Sequence, residues 1–303
     1  MIAALFVGLG LLTSVFVADW FIQARKHPDT PDPGRPDAER IAVGFVANFF
    51  DALGIGSFAT STTYFRLRKL VRDELLPGSL NVGHALPTIT QAFIGIAVIK
   101  VDPMTLVLMI AAAVAGSWLG AGVVSRLPRR AIQVGMGIAL LVAAGFFLAR
   151  LLQWMPSSDT GTLDLTGMKL ALGLVGSFVL GTIMPLGIGY YAPCMILVSL
   201  LGMNPLASFP IMMGACAFLM PVASMNFIRA RRYSLKTTVG MAIGGVFGSA
   251  LALTVVKSMN LNSVRWLVTV VVTYTGVSLL RTAAREKAVS DLAKAGENRP
   301  AAT

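Results

Sequence analysis

Asp51 is an acidic side chain inside an apolar run, three residues before the interruption Gly54-Ile55-Gly56. Of the 14 acidic residues it alone lies well inside such a run; Asp19 sits near a run's end. A charge at the centre of a bilayer costs at least about 2.5–3.5 kcal/mol, so an acid retained there is read first as functional. Its chemistry would be proton coupling, since a carboxyl can take up and release a proton as its access changes. The competing reading is a carboxyl bonded to a helix end or to Asn48. His84, between Asn81 and Thr88 in the next apolar run, is the second proton or ligand candidate. It could equally be a packed, hydrogen-bonded histidine. Gln91, Ser224 and Asn226 are candidates for bonds between helices. Cys194 and Cys216 read as packing residues. No HExxH, P-loop, Ser-His-Asp or four-cysteine pattern occurs, so no enzyme, metal or cofactor is expected.

The elements that hold these residues are membrane helices. Of 303 residues 55% are apolar and 13% charged, with mean hydropathy +0.75. So little charge cannot solvate a water-facing surface. The apolar runs are Ile2–Gln23, Ile41–Phe65, Leu80–Ile99, Met104–Val124, Ile132–Leu152, Met168–Leu201, Leu206–Ile228, Val239–Val256 and Val264–Leu280. The first reads as an uncleaved anchor, because no basic amino end or small-x-small site accompanies it. The net charge of +11 lies between the runs, so it reports topology rather than nucleic acid. Five segments hold 20 of the 25 bases: 24–40, the stretch after Phe65, 126–130, 229–236 and the carboxyl end. The positive-inside rule makes all five cytoplasmic, with the N-terminus outside and the C-terminus inside.

Both flanks of Ile41–Phe65 are then cytoplasmic, and both base-poor flanks of Met168–Leu201 face outward. Each run becomes a re-entrant hairpin with its tip at an interruption, Gly54-Ile55-Gly56 or Pro185-Leu186-Gly187-Ile188-Gly189. Arms of roughly 12–15 residues reach about 20 Å, past the midplane but not across. A single kinked span is the alternative. Residues 41–60 align with 174–193 without a gap, pairing Phe45 with Phe178, Leu53 with Leu186, Gly54 with Gly187 and Gly56 with Gly189. Further on, Pro87 resembles Pro221, and Gly116 and Gly120 resemble Gly244 and Gly248. The fold class is therefore an all-α polytopic membrane protein with an inverted repeat. Each half has one re-entrant hairpin and three spanning helices, and one extra N-terminal helix precedes them. The expected division is an N-terminal helix at 1–23, a cytoplasmic linker at 24–40 and a first repeat at 41–153. A periplasmic linker at 154–167, an inverted repeat at 168–282 and a cytoplasmic tail at 283–303 follow.

Paired interrupted helices point to alternating access around a midplane site. No Lys or Arg falls near a span centre, so an anion would be held by backbone N–H groups at the tips. Candidate substrate contacts are Gly54, Ile55, Gly56, Ser57, Gly187, Ile188, Gly189, Tyr190 and Tyr191, with Asn48 and Thr60 as secondary polar groups. The duplicated leucine- and glycine-rich hairpin resembles the TauE/SafE family of sulfite and organosulfonate exporters over residues 41–282. That resemblance implies efflux of sulfite or a small sulfonate such as sulfoacetate across the cell inner membrane. The partners expected are a small anion and lipid, and a homodimer is one assembly the sequence allows. An anion channel using the hairpins as a fixed filter is the alternative function; a membrane enzyme or scaffold finds no catalytic cluster.

Overall fold

The computed structural model describes residues 1–27, 30–124, 129–152, 162–184 and 190–297. These form eleven helices: α1 (Ile2–Lys26), α2 (Ala38–Ala52), α3 (Ser57–Leu67), α4 (Leu76–Val98), α5 (Pro103–Val124), α6 (Arg129–Leu151), α7 (Gly167–Ile183), α8 (Tyr191–Leu200), α9 (Ser208–Arg229), α10 (Leu235–Ser258) and α11 (Leu261–Glu297). Among the described residues no strand forms, only an isolated bridge between Thr162 and Met203. Four helical segments among the described residues, Ile2–Lys26, Pro205–Arg229, Leu235–Ser258 and Asn262–Glu286, are long and apolar enough to cross a membrane by length and composition.

Polarity is distributed as lipid demands. Val7, Leu11, Trp118, Leu172, Val175, Phe247 and Val270 are exposed, whereas Asn48, Asp51, His84, Gln91 and Ser249 are buried. In water such a surface would be an aggregation liability; in hydrocarbon it is the solvated face.

Helix pairing follows a regular scheme. α2 packs on α10, α5 on α7, α4 on both α9 and α10, and α6 on α11. Glycines set the closest approaches. A Cβ added to Gly244 or Gly248 of α10 would collide with the Ile41 or Phe45 carbonyl of α2. A Cβ on Gly116 of α5 would likewise meet the Phe178 carbonyl of α7, and one on Gly181 the Ala113 carbonyl. The spacing Gly244-x-x-x-Gly248 thus lets the backbones of α2 and α10 approach closely.

The first apolar hairpin candidate is broken where glycines interrupt it. α2 closes with Gly54 N–H donating to the Asp51 carbonyl (2.7 Å) and Ile55 N–H to that of Phe50 (3.1 Å). Gly54 and Gly56 have φ of +99° and +89°, a region that side chains with a Cβ avoid. The far ends of the two arms are joined: Glu39 accepts from Tyr64 Oη (2.8 Å) and Arg68 Nε (3.0 Å). Those two bonds hold the Glu39 carboxyl below its ordinary range.

Loops gather by charge. Near the base-rich segments, Arg40 donates to the Leu70 carbonyl (3.1 Å), Leu235 N–H to that of Pro31 (3.2 Å), and Arg229 pairs with Asp19 (3.3 Å). The base-poor segments meet elsewhere, through Asp102 N–H to the Leu163 carbonyl and Asn204 N–H to that of Thr162, both 2.9 Å. α11 continues to Glu297, because alanines and the run Arg285-Glu286-Lys287 propagate helix and no glycine or proline intervenes before Gly296.

Candidate functional site

α2 ends beside the break and carries Asp51 one position before its last residue. From there the Asp51 carboxyl reaches across the break. Its Oδ1 accepts from the backbone N–H of Ser57, the first residue of α3, at 2.7 Å. A carboxylate there satisfies one orphan donor and complements the positive helix end. The N–H expected to be free for an anion at the first tip is therefore given to Asp51.

The other oxygen, Oδ2, accepts from Gln91 Nε2 of α4 at 3.0 Å. The same nitrogen lies 3.1 Å from Ser249 Oγ of α10, and Gln91 Oε1 accepts from Tyr191 Oη at 2.9 Å. Tyr191 opens α8, directly after the second interruption. Two buried bonds, Gln91 to Asp51 and Tyr191 to Gln91, thus link a residue just before the first break to one just after the second. Gly54 approaches the second half as well: a Cβ there would run into the Met195 side chain of α8.

A second polar group lies alongside. His84 Nδ1 is 3.0 Å from Asn48 Oδ1, and its Nε2 is 3.1 Å from Ser61 Oγ. Asn48 Nδ2 donates to the Gly44 carbonyl at 2.7 Å, so its oxygen faces His84. His84 accordingly donates through Nδ1, and the Ser61 hydroxyl engages its other nitrogen. Gly245 gives this cluster room, since a Cβ there would strike the Asn48 amide and Pro87.

The remaining candidates fall in different places. Ile55 packs on the core beside the break, and half-buried Gly56 faces open space. Thr60 bonds back to the Ser57 carbonyl (2.9 Å) of its own helix. The Tyr190 and Ser224 hydroxyls are buried without a hydrogen bond to the described residues, and Asn226 is exposed. Gly187, Ile188 and Gly189, with Pro185 and Leu186, lie outside the described residues. Sequence reasoning overlooked Ser249 and Ser61. Their signals were a serine one residue after Gly248 and a serine one turn after Ser57, both small and easily read as packing.

No Lys or Arg side chain joins this network among the described residues, and no group of His, Cys, Asp and Glu there could hold a metal. What these elements bring together is a buried carboxyl, an amide, an imidazole and several hydroxyls. A family model described as Sulfite exporter TauE/SafE matches residues 40–279. The chain belongs to the TauE/SafE family. Members of this family are membrane transporters, not enzymes, and the family implies export of sulfite or related anions. This TauE/SafE protein is accordingly a multi-pass membrane protein with a small anionic substrate and a lipid environment. The matched region begins at Arg40, leaving α1 before it. No curated protein and no solved structure matches the chain.

Proposed function

We propose that this TauE/SafE protein is a secondary transporter that carries sulfite or a small organosulfonate such as sulfoacetate out of the cell. Access alternates around a midplane site between two re-entrant tips, and Asp51 couples the anion to a proton. The observation that carries this reading is the bond series from Ser57 through Asp51 and Gln91 to Tyr191. It connects the two interruptions by groups whose hydrogen bonds depend on one proton.

The helix pairing supports an inverted repeat. Exchanging the halves turns the α2–α10 contact into α7–α5 and leaves α4–α9 and α6–α11 unchanged. The joined ends of α2 and α3, and the bridge from Thr162 to Met203 flanking α7 and α8, support two hairpins that each return to their starting side. The separate gathering of base-rich and base-poor loops supports cytoplasmic basic turns, an outside N-terminus and placement in the inner membrane. A homodimer fits this arrangement, with lipid-facing apolar helices available for contact.

Cysteine labelling tests the topology. Cysteines replacing exposed Ala38 and Leu67 are expected to be shielded together from an external impermeant reagent, and those replacing Asp164 and Asn204 labelled together. Opposite labelling of Ala38 and Leu67 would reject the first hairpin. The transport reading is tested with purified protein in liposomes loaded with sulfite or sulfoacetate. Saturable counterflow of the labelled anion is expected, with sulfate, taurine and carboxylates as controls. Large unitary currents in place of counterflow would make the protein a channel.

A further inference from the structure

We propose that Gln91 is the positioning residue that turns protonation of Asp51 into a hydrogen-bond donor for the anion. Its side-chain amide rotates when Asp51 gains a proton and so frees the Tyr191 hydroxyl. This deepens the proton-coupled reading above and rests on it.

The argument is one of donors and acceptors. As a carboxylate Asp51 can only accept, and it accepts from Ser57 N–H and Gln91 Nε2. With the amide nitrogen turned to Asp51 and Ser249, Gln91 Oε1 must face Tyr191, whose hydroxyl must then donate to it (2.9 Å). In this state Tyr191 can offer an anion only lone pairs, which repel it.

A proton taken from water onto Asp51 Oδ2 reverses the demand. Oδ2 becomes a donor facing a donor, and half a turn of the Gln91 amide resolves the conflict. Oε1 then accepts from Asp51 and from the Ser249 hydroxyl, while Nε2 donates to the Tyr191 oxygen. Oδ1 keeps its bond from Ser57 N–H throughout. In the second state the Tyr191 proton and one Nε2 hydrogen are left to find another acceptor. An anion beside Tyr191 is that acceptor. One proton thus removes a negative charge near the site and adds a donor to it.

The surroundings leave this exchange undisturbed by other charges. The titratable neighbours are His84 on α4, Tyr191 and Cys194 on α8, and Cys216 on α9. α3 and α10 present Ser57 and Ser249, and α11 the apolar Val271 near Gly54. His84 is occupied by Asn48 and Ser61. No described Lys or Arg acts on Asp51. Gln91 is fully buried, so water does not substitute for its partners.

The test is calorimetric binding of isethionate, a sulfonate whose single charge does not change, to the full-length protein between pH 5 and 8. Wild-type affinity is expected to rise about tenfold on acidification, within the range of coupled sites. Gln91→Met and Tyr191→Phe should each flatten this pH profile to within about twofold, Tyr191→Phe at the weak-binding level. Asp51→Asn should flatten it at the tight-binding level. If Asp51→Asn flattens the profile but Gln91→Met and Tyr191→Phe keep the full response, the amide switch is wrong and Asp51 coupling stands. If Asp51→Asn also keeps it, the coupling reading falls first and takes the switch with it. A measurement on the unsubstituted protein guards against variants that fail to fold. Acid-minus-alkaline infrared spectra with isotope-labelled tyrosine should show a shifted phenol C–O band, and an unshifted band overturns the proposal.

Discussion

Asp51→Asn is expected to leave anion counterflow intact while abolishing its response to a pH gradient. A one-unit gradient is worth 1.36 kcal/mol per proton, so one coupled proton can sustain at most about a tenfold accumulation of anion. Wild-type liposomes, with the anion on the acidic side, should approach that ratio on the other side. Asp51→Asn liposomes should stop at unity. Asparagine keeps an oxygen for the Ser57 N–H, so the cap on α3 survives. Its amide nitrogen replaces the oxygen that accepts from Gln91, which imposes the hydrogen bonds of the protonated acid without a proton to release. A monoanion moving with one proton carries no net charge. The wild-type flux should therefore be insensitive to an imposed membrane potential, and the mutant flux sensitive to it. A full pH-gradient response in Asp51→Asn would make this carboxyl only a helix cap.

That capping role was one of the two readings open in the sequence. The apolar runs, the break at Gly54-Ile55-Gly56 and the isolation of Asp51 were legible because each is a local departure from lipid-compatible composition. Its partners were not. Gln91 is 40 residues away and Tyr191 140 residues away in sequence, and spacing cannot say which face of α4 or α8 meets α2. Asn48 was visible as a polar residue three before Asp51, yet it bonds to His84 rather than to the carboxyl. A helix turns by about 100° per residue, so three positions leave it on a neighbouring arc of α2. The glycines of α10 were legible as part of a repeat, but not that α2 would supply the carbonyls packed against them. Arg40 was counted only as a topology charge. Its burial depends on four segments converging, and a charge tally along the chain contains nothing of that convergence.

Arg40→Met is the substitution expected to cost the fold most at its basic face. The guanidinium donates from Nε to Thr237 Oγ1 at 2.9 Å and from Nη2 to the Leu70 carbonyl at 3.1 Å. It also pairs closely with Asp37, the cap of α2, and more loosely with Asp32 at 3.6 Å. One side chain therefore ties the linker, α2, the turn after α3 and the start of α10. The aspartates are more than a third exposed, so their Coulombic share is screened and small. The loss comes mainly from the Leu70 carbonyl left unpaired and from the bond to Thr237 Oγ1, which keeps only its contact with Ser234 Oγ (2.8 Å), about 2 kcal/mol in all. Arg40→Lys should recover less than half of it, because one ammonium cannot point its donors in three fixed directions as a planar fork does. Although partial burial pushes the Asp37 carboxyl up, the Arg40 backbone N–H, Lys236 and the guanidinium outweigh it and hold the group below its ordinary range. That contribution is complete above the ordinary carboxylate range and is lost as pH falls through the lowered folded value. The gap in melting temperature between wild type and Arg40→Met should thus be widest near neutrality and narrow in acid. Equal melting of Arg40→Lys and wild type would mean that the guanidinium's several directions contribute nothing, and that a single positive charge suffices where these four segments meet.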